Sequence, residues 1–363
     1  MCGALGVLTL ALLTGCGGGG GGGGGSAPAA TDPPATSTDD DDEEWLIPRE
    51  RVVDGGPGRD GIPAIDNPIF LRADRVGGSA RKLVVGYRDG SWVKAMPHDI
   101  LDWHEIVNDT IGGEPVALTY CPLTGSALLW KSSTTARNPT FGVSGLLYNS
   151  NLIPYDRETD SHWLQMLVQS VEGPRAGDVP EVLPVVETTL GTWREMYPDS
   201  QLLTRQTGYD RNYDEYPYRT YRTDDNLLFD VEPLDTRMQI KTRVLGVWVG
   251  DAARAYRIED FGSGITVHND TVGDLPIVVA GSAQKNLAVA FGRTLPDGTV
   301  LSFEPASAPL PAIVTDDEGN TWNVFGEAID GTRLTERLPL VDSHIAFWFA
   351  WWAFHPGSEI AGE

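Results

Sequence analysis

Asn108-Asp109-Thr110-Ile111-Gly112-Gly113-Glu114-Pro115 recurs as Asn269-Asp270-Thr271-Val272-Gly273-Asp274-Leu275-Pro276. The offset is about 160 residues, and it holds elsewhere in the chain. Upstream, Trp92-Val93-Lys94-Ala95-Met96 matches Ala252-Ala253-Arg254-Ala255-Tyr256. Downstream, Ser161-His162-Trp163 matches Asn320-Thr321-Trp322, and Gly173 matches Gly331. Last, Trp193-Arg194-Glu195-Met196-Tyr197-Pro198 matches Trp351-Trp352-Ala353-Phe354-His355-Pro356. Matches that keep both order and spacing read as a doubled unit. We expect an α+β protein of two tandem, pseudo-symmetric, β-rich repeats with short helices, packed as one body. Repeat 1 and an inter-repeat strap take residues 45–222, and repeat 2 takes residues 223–363.

Within the first repeat, residues 82–87 and 91–96 alternate around Arg88-Asp89-Gly90, a hairpin signal. Residues 99–107 carry apolar positions at helical spacing and predict a short helix. Residues 115–120 and 126–130 read as strands, and residues 141–155 as a long hairpin or bent strand. Residues 188–197 read as a helix stopped by Pro198. The Tyr- and Asp-rich stretch 208–221, with Pro217, reads as an ordered surface strap.

The N-terminus speaks to location. Residues 4–14 are apolar but too short to span a bilayer. They end in Leu13-Thr14-Gly15-Cys16, a bacterial lipobox, which makes residues 1–15 a lipoprotein signal peptide and Cys16 the acceptor of an acyl anchor. No Lys or Arg precedes the apolar run. Residues 16–44, a glycine run followed by small residues and an acidic block, cannot bury a core and read as a disordered linker. The expected place is the cell envelope, facing the periplasm or exterior, with the membrane as a partner through the lipid.

The chain has 51 acidic and 27 basic residues, a net charge of −24. That balance excludes nucleic acid, whose phosphates need clustered cations. Of three cysteines, Cys2 leaves with the leader and Cys16 is lipidated. Cys121 is left alone, so no disulfide can form within the mature chain. A free thiol in an oxidising compartment is either buried or kept for its chemistry.

The doubling supplies an internal control: polar residues found in one repeat only are candidates for function. Cys121 falls opposite Ser282, so the fold does not require a thiol there. Trp103-His104-Glu105 falls opposite Gly264-Ile265-Thr266. Tyr148-Asn149-Ser150-Asn151 has no counterpart and is either a ligand-facing wall or a turn. Motifs for covalent haem, paired-cysteine redox chemistry, a serine elbow, a phosphate loop and a zinc protease helix are all missing.

Four segments then carry a resemblance. These are residues 59–66, Trp103-His104-Glu105-Ile106-Val107-Asn108-Asp109, Tyr120-Cys121-Pro122-Leu123-Thr124-Gly125-Ser126, and Phe141-Gly142-Val143-Ser144-Gly145-Leu146-Leu147-Tyr148-Asn149-Ser150-Asn151. They resemble the domain-of-unknown-function family numbered 3179, over residues 60–356. The resemblance brings the histidine and cysteine matched by His104 and Cys121, but no established activity. His162 stands where the family is more often apolar, which makes it a poor ligand.

Three functions compete. The first is a soft-metal or redox site, with copper or another soft metal held by Cys121, His104 and Met166, or by His98 in place of His104. The second is a thiol enzyme, with Cys121 as nucleophile and His104 as base. Asn149 would join them, and Thr124, Ser126, Tyr148 and Asn151 would line the substrate. The third is a non-catalytic module that holds a small molecule or protein between the repeats. The sequence favours the first slightly, because no acidic third member of a nucleophile triad is visible.

Overall fold

The computed structural model describes residues 44–134 and 140–363. The leader, Cys16 and the glycine run lie outside the described residues. The first half opens its core with the hairpin Leu83–Asp89 and Trp92–Pro97, as its alternation predicts. Helix α1 follows, His98–His104. The helix expected to reach residue 107 stops at Glu105, whose φ of +58° is left-handed and ends the turn. Ile106–Ile111, Glu114–Cys121 and Ser126–Lys131 then form an antiparallel ribbon. Phe141–Tyr148 and Asn151–Asp156 are the expected long hairpin. Asn149 and Ser150 both take positive φ, +49° and +63°, the signature of a two-residue primed turn. The Tyr148-Asn149-Ser150-Asn151 run is therefore a turn. Helix α2, Leu190–Met196, starts where Thr189 Oγ1 accepts a bond from Thr192 N at 3.1 Å.

The second half follows a similar order, except that a short 3-10 turn, Ile258–Asp260, stands where the first half has α1. Hairpin Arg243–Val249 with Ala252–Arg257, ribbon Thr266–Val272, Leu275–Ser282 and Leu287–Gly292, and helix α3, Trp348–Phe354, follow in turn. The matched sequence blocks now have physical reasons. Asn108 clamps the backbone of Phe141 through two bonds of 2.9 Å, and Asn269 clamps Phe303 with bonds of 2.8 and 2.9 Å. Asp109 takes bonds from Tyr87 and Lys94, and Asp270 takes them from Tyr256 and Arg254. Buried Asp156 accepts from the Trp163 indole at 3.1 Å, and Asp316 from Trp322 at 2.9 Å. Asn108, Asp156 and Asp316 are buried polar groups that need a partner, so their bonds are costly to lose.

The protein is β-rich α+β, and its sheets pack as one body. Trp130, Phe141 and Trp163 of the first half share one apolar cluster with Val244, Trp348 and Trp351 of the second. Phe347 N donates to Thr124 O at 2.8 Å, and the Phe347 ring lies against Gly125. The stretch 208–221, expected as a surface strap, is more than a surface feature. Tyr213 and Tyr221 are buried, and Tyr221 OH donates to Leu123 O at 2.9 Å.

Two glycines carry the helices. A Cβ on Gly86 would overlap the Trp193 ring of α2, and one on Gly246 the Trp351 ring of α3. Gly86→Ala and Gly246→Ala are each expected to destabilise by roughly 1–3 kcal/mol through overpacking. Gly77, with open space around it, is the control: Gly77→Ala should stay within about 0.5 kcal/mol. Urea denaturation of the three variants measures this.

Candidate functional site

Cys121 is the last residue of its strand and pairs with Ser126 across a tight turn. Ser282 ends the equivalent strand and pairs with Leu287, so the thiol does stand where the second half has a hydroxyl. Cys121 is 1% exposed. Its Sγ donates to Ser150 O at 3.4 Å, a weak bond that holds the proton. Burial, and then the nearby Glu105 carboxylate, push the thiol up to about 11. At pH 7 about one molecule in ten thousand is then a thiolate, the form that attacks carbon or binds metal.

The expected imidazole does not meet this sulfur. His104 Nε2 bonds Tyr213 OH at 2.7 Å and Nδ1 bonds Pro63 O at 2.7 Å. Burial lowers its pKa, so the ring is neutral, and both nitrogens are occupied. His98 faces another way: its Nε2 lies 3.2 Å from Glu187, and its ring tilts over Tyr120 at 4.7 Å. Met166 shares the apolar cluster of Cys121, with its backbone N bonded to Asn151 Oδ1 at 2.9 Å. Among the described residues, no three His, Cys, Asp or Glu side chains gather where one ion could sit. His104 has both ring nitrogens bonded to Pro63 and Tyr213, so it is not free to join Cys121 and Met166 in the set expected for copper, because the end of α1 turns it toward the strap.

The remaining expected residues are a satisfied polar interior. Ser126 Oγ bonds Thr124 Oγ1 and Gln165 Oε1, both at 2.8 Å, and Asn151 Nδ2 donates to Gln165 Oε1 at 2.7 Å. Thr124, Ser126, Asn151 and Gln165 are all fully buried. Asn149 Oδ1 accepts from Arg51 at 2.7 Å and from Glu232 N at 3.1 Å. Half-buried Tyr148 lies beside Arg51, whose guanidinium sits 5.1 Å from its ring. These contacts fasten the hairpin and the turn after Cys121 to their surroundings.

What does surround Cys121 is the strap. Tyr216, Tyr218 and Tyr221 lie close enough to the thiol that its charge would raise their own hydroxyls. Tyr218 OH donates to Glu105 Oε1 at 3.2 Å. Arg222 pairs with buried Asp102, donates to Tyr120 OH at 3.0 Å, and stacks over Tyr216 at 4.0 Å. Burial pushes the Glu105 carboxyl up to about 7, with the Tyr218 bond opposing it. Sequence reading marked the strap as ordered and Glu105 as confined to one repeat. The missing signal was which surface the tyrosines cover.

These features define a class: a β-rich α+β protein with a buried thiol and carboxyl closed under a tyrosine strap. The chain belongs to the family described as "Protein of unknown function (DUF3179)", which it matches over residues 59–358. No curated protein and no solved structure matches it.

Glu105 gives the site a pH signature. Its folded pKa lies above the unfolded one, so its contribution is intact below about pH 4.5 and is lost as pH rises through about 7. Glu105→Gln keeps the acceptor for Tyr218 and removes the charge. The variant should gain on the wild type as pH goes from 5 to 8.5, by at most about 3 kcal/mol. Unfolding midpoints across that range measure it; parallel curves would refute it.

Proposed function

We propose that this protein is a lipid-anchored, extracytoplasmic binding module without catalytic activity, and that its ligand sits between two halves that arose by duplication. Repeat 1 with its strap takes residues 45–222 and repeat 2 residues 223–363, with residues 16–44 as a spacer from the membrane. The observation that carries this reading is the state of Cys121: sealed, protonated, bonded to Ser150 O, and without an imidazole to take its proton. A nucleophile needs an adjacent base or a lowered pKa, and a soft-metal site needs a thiolate with converging donors. Cys121 has neither set, so we assign it a packing role in the first half. The lipobox at Leu13-Thr14-Gly15-Cys16 supports the anchor.

The two cysteines should therefore be separable. Cys16→Ala is expected to shift the protein from the membrane to the soluble fraction of a bacterial host. Cys121→Ser should leave it at the membrane, folded, with the same low copper content as the wild type by elemental analysis. Equimolar copper in the wild type that disappears in Cys121→Ser would restore the metal reading and sink this one.

A further inference from the structure

Lys94, Asp109 and Tyr87 meet in the first half at a buried point between two sheets. Lys94 lies on the strand Trp92–Pro97 and Asp109 on the strand Ile106–Ile111, which belong to different sheets. Lys94 Nζ donates to Asp109 Oδ2 at 2.6 Å, and the two side chains are only 7% and 9% exposed. Tyr87 OH, from the strand Leu83–Asp89, donates to the same oxygen at 2.5 Å. The Phe70 ring lies 4.4 Å from Nζ. One dry point thus holds an amine, a carboxyl and a hydroxyl proton.

The second half makes the same contact with a different cation. Ala95 pairs with Gly86 and Ala255 with Gly246, so Arg254 holds the place of Lys94. Arg254 pairs with Asp270, which also accepts from Tyr256 OH at 2.6 Å. That pair is wetter, with side chains 23% and 27% exposed, and Arg254 reaches Glu359 as well. Among the described residues Lys94 pairs with one carboxylate, Asp109. Taking a single ion pair this far out of water is costly. A guanidinium can only remain an ion pair. An ammonium that gives up a proton is a nucleophile, and with a carboxyl it forms a stable amide.

We infer that Lys94 and Asp109 are a self-modification site: they condense to an isopeptide bond, a covalent staple between the first hairpin and the ribbon, with Tyr87 as proton carrier. The step needs no outside reagent. The ammonium first passes a proton to Asp109 Oδ2, which it already touches. The neutral amine then attacks Cγ, and the Nζ–Cγ bond forms. Tyr87 gives its proton to Oδ2 and recovers one from Nζ, which sits against the same oxygen. The Cγ–Oδ2 bond breaks with its electron pair on oxygen, and Oδ2 leaves as water. An ammonium and a carboxylate have become a neutral amide and one water, so atoms and charge balance. Contact drives the reaction, since well-oriented groups reach effective concentrations of about 10⁵–10⁸ M. Burial drives it too, because the amide carries no charge into a dry site and the ion pair does. A surface hollow lined by Asn108, Asp109 and Thr110 gives the water a way out.

The test is mass spectrometry of tryptic peptides from the full-length protein. An acylated lysine is no longer a cation, so trypsin should not cut after Lys94. The peptide from Asp89 to Lys131, which has no other Lys or Arg inside it, should appear whole and lighter by one water. Backbone fragmentation between Lys94 and Asp109 should release no separate pieces. Lys94→Arg copies the second half, keeps the ion pair and cannot form the bond. It should be cut at that place, show full mass and unfold at a lower temperature than the wild type. Tyr87→Phe should form the linked peptide at least tenfold more slowly after synthesis. A folded wild type that trypsin cuts after Lys94, with peptides of full mass, would overturn the staple, and that result stands whether or not either variant folds. A water loss that persists in Lys94→Arg would overturn it as well. Unchanged kinetics in Tyr87→Phe would overturn the part given to Tyr87.

Discussion

The two largest apolar clusters are each shared between the halves, and most of the structure follows from that. Trp348 and Trp351 of the second half complete a cluster begun by Trp130, Phe141 and Trp163 of the first. Val278, Trp322 and Phe325 of the second half complete another with Trp193 and Leu202 of the first. Burying large aromatic surfaces is the main favourable term in folding, and here it is divided across the boundary. The backbone follows the packing: Phe347 N reaches Thr124 O, and Thr188 Oγ1 reaches Lys285 O at 2.7 Å. A space between such halves is enclosed by rigid strands from both sides, which is what a small-molecule site needs.

The same constraint governs the thiol. The turn that follows Cys121 is pressed between Phe347 on one side and Tyr221 on the other. Access to the sulfur requires the strap to lift, and the strap is fastened at several points. Tyr213 bonds His104, Tyr218 bonds Glu105, Arg222 pairs with Asp102, and Lys241 donates to the carbonyl oxygens of Tyr221 and Asn226. These bonds are mutually supporting, so the loss of one leaves another buried group unsatisfied. The strained backbone at Glu105 fits this picture. A left-handed residue without a glycine persists only where its surroundings hold it, and here Tyr218 does so.

The residues that repeat were legible because their roles are set locally and recur: the asparagine clamps at 108 and 269, the aspartates at 109 and 270, and the tryptophans of α2 and α3. The first hairpin, two strands of the ribbon and the long hairpin of the first half followed from alternation and turn residues. What sequence reading could not supply was direction. His104 and Cys121 looked like partners because both belong to the first half alone. Yet His104 is aimed by Pro63 and Tyr213, which lie about 40 residues before it and about 110 after it, and no periodicity encodes that. The end of α1 at Glu105 was also invisible, since neither glycine nor proline marks it.

The account rests on Cys121 being closed off in the native state, since any opening there would return the thiol to chemistry. The direct measurement is the rate at which iodoacetamide modifies Cys121 at pH 7.5 with increasing urea, followed by mass spectrometry of the peptide that contains it. The account predicts negligible modification without urea and a rate that rises with the denaturant dependence of global unfolding. Rapid modification of the folded protein, insensitive to urea, would contradict it.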